Sequence, residues 1–230
     1  YIGRKSNVNI KKYVTKYIKY YSGERDILFS KINYVDCFDT ISAPKLHTIK
    51  GKSIINKIDS FRKKLNTEFI RENAFYYHAA PIYWNKALYD LNTLNNQNLN
   101  IADSYKKKEI SSRYKDFAFV LVNSSLFFYY WIVYSDCYNL TQSYLANIGV
   151  PNIEATSDLK RLADKLNKDL NKHIQIAEYS YKNRGMVRFA QFFPKKSKSI
   201  IDEVDKVLAK HYGFTEEELD FIINYDIKYR

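Results

Sequence analysis

Asp116 to Tyr134 reads DFAFVLVNSSLFFYYWIVY, the most hydrophobic segment of the chain. It outlasts a usual strand of about 5–6 residues, so it is read as a buried helix beginning near Asp116. Asn123-Ser124-Ser125 interrupts the apolar run from Phe117 to Val133. The pieces on either side are too short for a bilayer, which takes about 20 apolar residues. The segment is therefore expected at the centre of a globular core, with no membrane as a partner.

The rest of the composition agrees. The 230 residues are 46% hydrophobic, enough for one large domain or two small ones, and wholesale disorder is excluded. A net charge of +12 favours a polyanionic partner but also fits a merely soluble surface. Aromatics make up 17%, 22 of them Tyr, against 6 Gly, which suits a packed globule. Cys37 and Cys137 lie far apart with no Cys or His at metal spacing beside them, so reduced thiols in a cytoplasm are expected. No signal segment opens the sequence, and a start at Tyr1 without Met reads as a piece of a longer protein.

Upstream, Val8 to Tyr21 fits neither period cleanly and is read as extended structure turning helical near Gly23-Glu24-Arg25. Ile54, Ile55, Ile58, Phe61 and Leu65 share one helical face behind Ser53 as N-cap, with Gly51 before it. Lys57, Arg62, Lys63 and Lys64 form the other face, read as solvated rather than phosphate-facing. Residues 69 to 89 carry aromatics and basic groups around Pro81, which predicts a strand, a turn and a second short element. Asn92 to Asn100 reads as a surface loop outside the core.

Downstream, Leu159, Leu162, Ala163, Leu166, Leu170 and Ile174 follow Ser157-Asp158 at helical spacing. That narrow seam asks for a neighbouring helix or a partner. Gln175 to Phe193 reads as two strands turning at Asn183-Arg184-Gly185. A basic loop, Pro194-Lys195-Lys196-Ser197-Lys198, precedes a helix opened by Ser199 and closed by Gly213. Thr215 and Glu218 form a capping box for the last helix.

Several chemistries have no support in the sequence. The six glycines never form G-x-G-x-x-G or G-x-x-x-x-G-K, so no nucleotide-cradling loop is present. There is no Pro-Pro-Tyr, no Pro-Asp, and no Glu followed two residues later by Lys. Asp158-Leu-Lys160 and Asp226-Ile-Lys228 are read as ordinary helix charges. His47, His78, His173 and His211 lack a ligand-type partner at i+3 or i+4, and Ser124-Ser125 lacks the glycine-flanked elbow of a nucleophilic serine. No metal site and no self-contained catalyst are expected.

What remains is basic groups interleaved with aromatics and amides, concentrated in Arg71 to Lys86 and Arg184 to Lys198. Lysine and arginine neutralise phosphates, while Asn, Gln, Arg and Tyr reach base edges. Composition alone leaves a second reading open, with Tyr filling the core and Lys simply outside.

Several stretches are familiar. Glu24 to Phe29 with Ile32-Asn33-Tyr34, and Tyr76-Tyr77-His78-Ala79-Ala80-Pro81-Ile82-Tyr83-Trp84-Asn85-Lys86, resemble segments of N6-adenine DNA methyltransferases and single-chain restriction-modification enzymes of the Eco57I/TaqI-like group. Leu121 to Trp131 with Tyr134-Ser135-Asp136-Cys137 and Leu140 is similar to their "LNSSLFYW…SDG…L" element, with Cys137 where the family tends to have Gly. Ala79-Ala80-Pro81 likewise replaces a more glycine-rich turn. Ile201-Asp202-Glu203 through Leu208 to Phe214, Asp220 to Asp226 and Tyr229-Arg230 resemble their C-terminal tail. In that family a catalytic domain binds S-adenosylmethionine and flips the target adenine, and a following domain recognises the DNA sequence.

The resemblance implies a mixed α/β (α+β) fold with amphipathic helices around short strands. It divides the chain into 1–50 as the end of the methyltransferase domain, 51–198 as the target-recognition domain and 199–230 as a helical tail. It implies double-stranded DNA and the chain's own upstream methyltransferase domain as partners. S-adenosylmethionine is expected for the parent enzyme, no cofactor for this segment, and no catalytic residue is assigned. Tyr76, Tyr77, His78, Tyr83 and Trp84 are expected to form the contact surface or its support. Lys86, Arg184, Arg188, Lys195, Lys196 and Lys198 are expected on phosphates or guanines. The alternatives are a module that packs on the catalytic domain and closes the DNA cleft, a divergent nuclease, and a single-stranded nucleic-acid binder.

Overall fold

A computed structural model describes residues 12–37, 43–81, 83–95, 99, 105–153, 157–183 and 185–227. In chain order the elements are β1 (Tyr13–Val14), β2 (Val35–Asp36), α1 (Ile49–Ser60), β3 (Asn73–His78), β4 (Ala87–Leu88), α2 (Asn92–Asn95) and β5 (Tyr105–Ile110). They continue with α3 (Lys115–Asn123), α4 (Ser125–Tyr134), α5 (Gln142–Asn147), α6 (Ser157–Lys172), β6 (Gln175–Tyr181), β7 (Gly185–Gln191), α7 (Lys198–Tyr212) and α8 (Glu216–Asn224). Short 3-10 turns occupy Ser22–Ile27, Phe29–Lys31, Leu65–Glu68 and Pro194–Ser197. The fold is mixed α+β: helices gather around one apolar centre, and among the described residues three small antiparallel sheets pair β1 with β2, β3 with β4 and β5, and β6 with β7.

The apolar centre is the stretch predicted to be one helix, but it is two. α3 and α4 meet at Ser124 with a bend of 70°, and neither is long and apolar enough to cross a membrane. Ser124 adopts an extended backbone, its hydroxyl donates to the Leu121 carbonyl, and it accepts from the Phe127 N–H as N-cap of α4. The bend turns both halves inward, so residues from Phe117 to Val133 are buried, with Phe117, Phe119, Phe127, Phe128 and Trp131 almost wholly so. Each such side chain is worth roughly 1.5–3 kcal/mol of apolar burial.

The break would leave amide donors of α4 buried and orphaned, which costs about 1–3 kcal/mol each. Asp205 on α7 answers this: its buried carboxylate accepts from the Ser125 N–H (3.3 Å) and the Leu126 N–H (3.2 Å). At the other end of α4, the Lys45 ammonium donates to the Val133 and Ser135 carbonyls, placing a cation where a helix dipole favours one.

One cluster of buried side chains runs from Val35 to Tyr225 and draws on all three segments distinguished in the sequence. The α6 seam packs on α3 and α7, so its partner lies within the chain. A smaller cluster, Leu88, Leu94 and Leu99 with Tyr105, Ile174, Ala190 and Phe192, seats the foot of the β6–β7 hairpin on the sheet. Leu94 and Leu99 thereby correct the reading of Asn92 to Asn100 as outside the core.

Other boundaries move for local reasons. α1 is capped by Thr48, whose hydroxyl accepts from the Gly51 N–H, and not by Ser53, which lies inside the helix and donates to Glu218. Lys57 of the supposed solvated face pairs with Glu218 (2.6 Å), and Lys63 with Glu68 (2.5 Å). Pro194–Ser197 is a 3-10 turn leading directly into α7, with Ser197, not Ser199, at the N-cap position. Asp226 lies beyond α8 at φ 50°, paired with Lys16, rather than as a helix charge, and Lys228 is outside the described residues. Near Gly23 the helical turn is 3-10 and follows the short strand β1; Val8 to Lys11 lie outside the described residues. The Gly213 closure and the Thr215–Glu218 capping box stand as expected.

Candidate nucleic-acid interface

β3 alternates, with Phe75 and Tyr77 turned into the core and Tyr76 and His78 on the opposite face. Tyr76 pairs with Lys107, and His78 with Tyr105, on the neighbouring β5. The His78 and Tyr105 rings meet edge to face at 5.0 Å. After β3 the chain turns through Ala79-Ala80-Pro81 and returns as β4, with the His78 N–H bonded to the Lys86 carbonyl at 2.9 Å. This turn and the Phe192–Pro194 stretch form a cleft of about 210 Å³, lined by His78, Pro81, Tyr83, Trp84, Lys86, Phe192 and Pro194 among others. Two segments a hundred residues apart in sequence, both singled out for basic and aromatic content, thus share one site.

The candidate residues divide by role. Tyr77 and Trp84 belong to the core and can only support the surface; the Trp84 indole N–H donates to the Asn123 carbonyl at 3.0 Å. Tyr83 is 58% exposed and stands at the cleft mouth. Arg188 is paired with Glu178 (2.9 Å) and Lys198 with Asp202, so both charges are partly answered within the chain. Lys195 and Lys196 are exposed, with no ion pair among the described residues. Lys196 lies over the Phe193 ring at 5.4 Å. Arg184 lies outside the described residues.

Asn123 holds the site together from below. Its side chain accepts from the Ala87 N–H and donates to the Ala87 and Phe119 carbonyls, joining β4 to α3. The adjoining Asn85 is fully buried, with no partner for its amide among the described residues.

Lys86 is the least ordinary charge here. Its ammonium lies 4.2 Å from the Phe192 ring centroid and 5.0 Å from that of Tyr105, with no carboxylate or hydrogen-bond acceptor assigned to it among the described residues. The rings return about 0.5–2 kcal/mol, less than the hydration lost on burial. Burial therefore lowers the amine to about 7. His78 is lowered to about 4 by burial and then by the Lys86 charge, against a hydrogen bond with the Ala80 backbone. Burial raises Tyr105, so its phenol stays protonated.

Sequence reading missed two contributors. Tyr105 and Phe192 wall the Lys86 amine. Tyr105 lies outside both candidate segments and is brought there by the β3–β5 pairing, while Phe192 lies within Arg184 to Lys198 without being named for a role and is brought there by packing of the hairpin foot. β5 itself, Tyr105-Lys106-Lys107-Lys108-Glu109-Ile110, was hidden by its run of charges, although Lys106 and Lys107 give it the exposed basic edge common on outer strands.

The β6–β7 hairpin stands beside the cleft with most residues exposed, including Tyr179, Tyr181 and Met186. Gly185 at φ 66° permits its turn, and Tyr179 stacks on Phe189 at 5.0 Å. Among the described residues no three His, Cys, Asp or Glu side chains converge as metal ligands would. Comparison of the chain with protein-family models, with curated proteins and with solved structures finds no match.

Proposed function

We propose that this chain is the duplex-DNA recognition module of a bacterial N6-adenine DNA methyltransferase or restriction-modification enzyme of the Eco57I/TaqI-like group. The supporting observation is the convergence of the His78–Lys86 and Phe192–Pro194 stretches on one cleft, with the exposed Lys195 and Lys196 following directly in sequence. The β5 edge adds Lys106, which has no ion pair among the described residues, whereas Lys107 beside it is answered by Glu109 at 3.5 Å. Unpaired lysines neutralise phosphates and set register. A two-stranded ribbon such as β6–β7 is of a size that the major groove admits. In this reading S-adenosylmethionine serves the parent enzyme, and no residue of this chain is assigned to methyl transfer. Free thiols at Cys37 and Cys137 favour a reducing, cytoplasmic setting.

The test is duplex binding by fluorescence anisotropy over a salt series. Replacing Lys195 and Lys196 together by Ala weakens binding to all sequences and reduces the salt slope by about 2. Unchanged affinity with an unchanged slope would remove that lysine pair from the interface.

A second reading, a module that packs on the catalytic domain, loses the α6 seam as its support. It gains another: Tyr17, Tyr20, Tyr21, Ile27, Phe29, Tyr34 and Ile49 are large apolar or aromatic side chains left exposed among the described residues before and at the start of α1. Selection from a randomised duplex pool separates the two. A motif enriched by this chain favours recognition, and no enrichment favours packing.

A further inference from the structure

We propose that Lys86 is a nucleophilic amine, set in its aromatic cleft to condense with a planar aromatic or conjugated aldehyde as an imine. This does not rest on the DNA reading. Lysines that serve as counter-ions are held by carboxylates, as Lys57, Lys63 and Lys165 are here. Lys86 has no such partner among the described residues, and its amine is set between the faces of Phe192 and Tyr105. It opens on a cleft whose apolar walls suit a flat, conjugated carbonyl compound, and a volume of about 210 Å³ admits one ring with a short substituent. Desolvation in an apolar pocket is how lysine amines become nucleophiles near neutral pH, and burial acts on Lys86 in that direction.

The step balances without a redox partner. The Nζ lone pair attacks the carbonyl carbon and the C=O π pair moves to oxygen. The carbinolamine then loses its oxygen as water, taking up a proton from solvent as nitrogen releases its own, to leave C=N. Among the groups around the amine, His78 on β3 and Tyr105 on β5 are uncharged at neutral pH. Phe192 and Pro194 bring no charge. Tyr83 lines the mouth, with Lys19 over its ring at 6.0 Å.

The full chain is treated with one equivalent of 2-hydroxybenzaldehyde and cyanoborohydride, which traps the imine as a stable amine, and the labelled peptide is mapped by mass. Lys86 is expected to react at least about tenfold faster at pH 7 than Lys106 or Lys195, because an ordinary lysine is almost wholly protonated there. Its rate is expected to reach half-maximum near pH 7. Lys86→Arg removes the fast label. Phe192→Ala opens the cleft to water and slows labelling of the retained Lys86 towards the ordinary rate, which keeps the test intact if the Arg variant misfolds. Label spread over exposed lysines with Lys86 not ahead, or a half-maximum above pH 10, would overturn the proposal.

Discussion

A methyl group on Gly149 would lie 2.0 Å from the Ile58 carbonyl oxygen, a backbone atom that cannot swing away. Gly149→Ala is therefore expected to cost about 3 kcal/mol or more, whereas Gly23→Ala, with no atom within 4 Å of the added carbon, leaves the urea midpoint nearly unchanged. Cys137 presents the opposite case, a non-glycine side chain held at φ 60°. Cys137→Gly should be neutral or stabilise by up to about 1 kcal/mol, and Cys137→Val should destabilise, since a branched side chain tolerates that backbone least. A loss of stability in the glycine variant would show that the thiol, near the Ile132 carbonyl at 3.6 Å, matters more than the backbone. At this scale the sequence showed which residues were unusual but not why. Asn123 and Ser125 were visible as part of an interruption, yet their meaning lies in Ala87 and Asp205, 36 and 80 residues away in sequence.

Elements were more legible when their signals were local. The Thr215–Glu218 box, the Gly213 terminator and the β6–β7 hairpin all follow from residues within a few positions of one another. α1 was misplaced because Thr48 and Ser53 are equally good caps on paper and Ile49 is exposed, so its first residue carries no apolar signature. The α3–α4 break depends on a distant carboxylate: Asp205→Ala strips two buried amides of their acceptor and is expected to cost about 2–4 kcal/mol by urea unfolding. The α1–α8 contact predicts a pH effect. Burial alone would raise the Glu218 carboxyl, but bonds from Lys57, Ser53 and the Thr215 backbone outweigh it and hold it below its usual value. A carboxylate depressed in the fold contributes stability above about pH 4.5, its unfolded value, and loses it as pH falls through the folded one. Lys57→Met should lower stability at pH 7 by about 1–3 kcal/mol and flatten the acid limb between pH 5 and 3; an unaltered limb would exclude the pair as its source.

For the molecule as a whole, the hydrophobic and aromatic composition was read correctly as that of a packed globule, while the fate of the aromatics could not be divided in advance. Tyr114, Tyr129, Tyr130 and Tyr212 went to the core, and Tyr83, Tyr138, Tyr179 and Tyr181 to the surface, as periodicity alone does not dictate when neighbouring strands and helices are unknown. The cleft shows the same limit: each wall was visible, but their meeting was not. Asp205 carries one further consequence, for synthesis. The centre of the core emerges from the ribosome well before the carboxylate that completes it, so for the several seconds needed to make the intervening 80 residues, at about 5–20 residues per second, the bent pair has unanswered amides and uncovered aromatics. Nascent chains stalled at residue 197 are accordingly expected to be captured by chaperones or degraded, and those released after α8 to be protease-resistant.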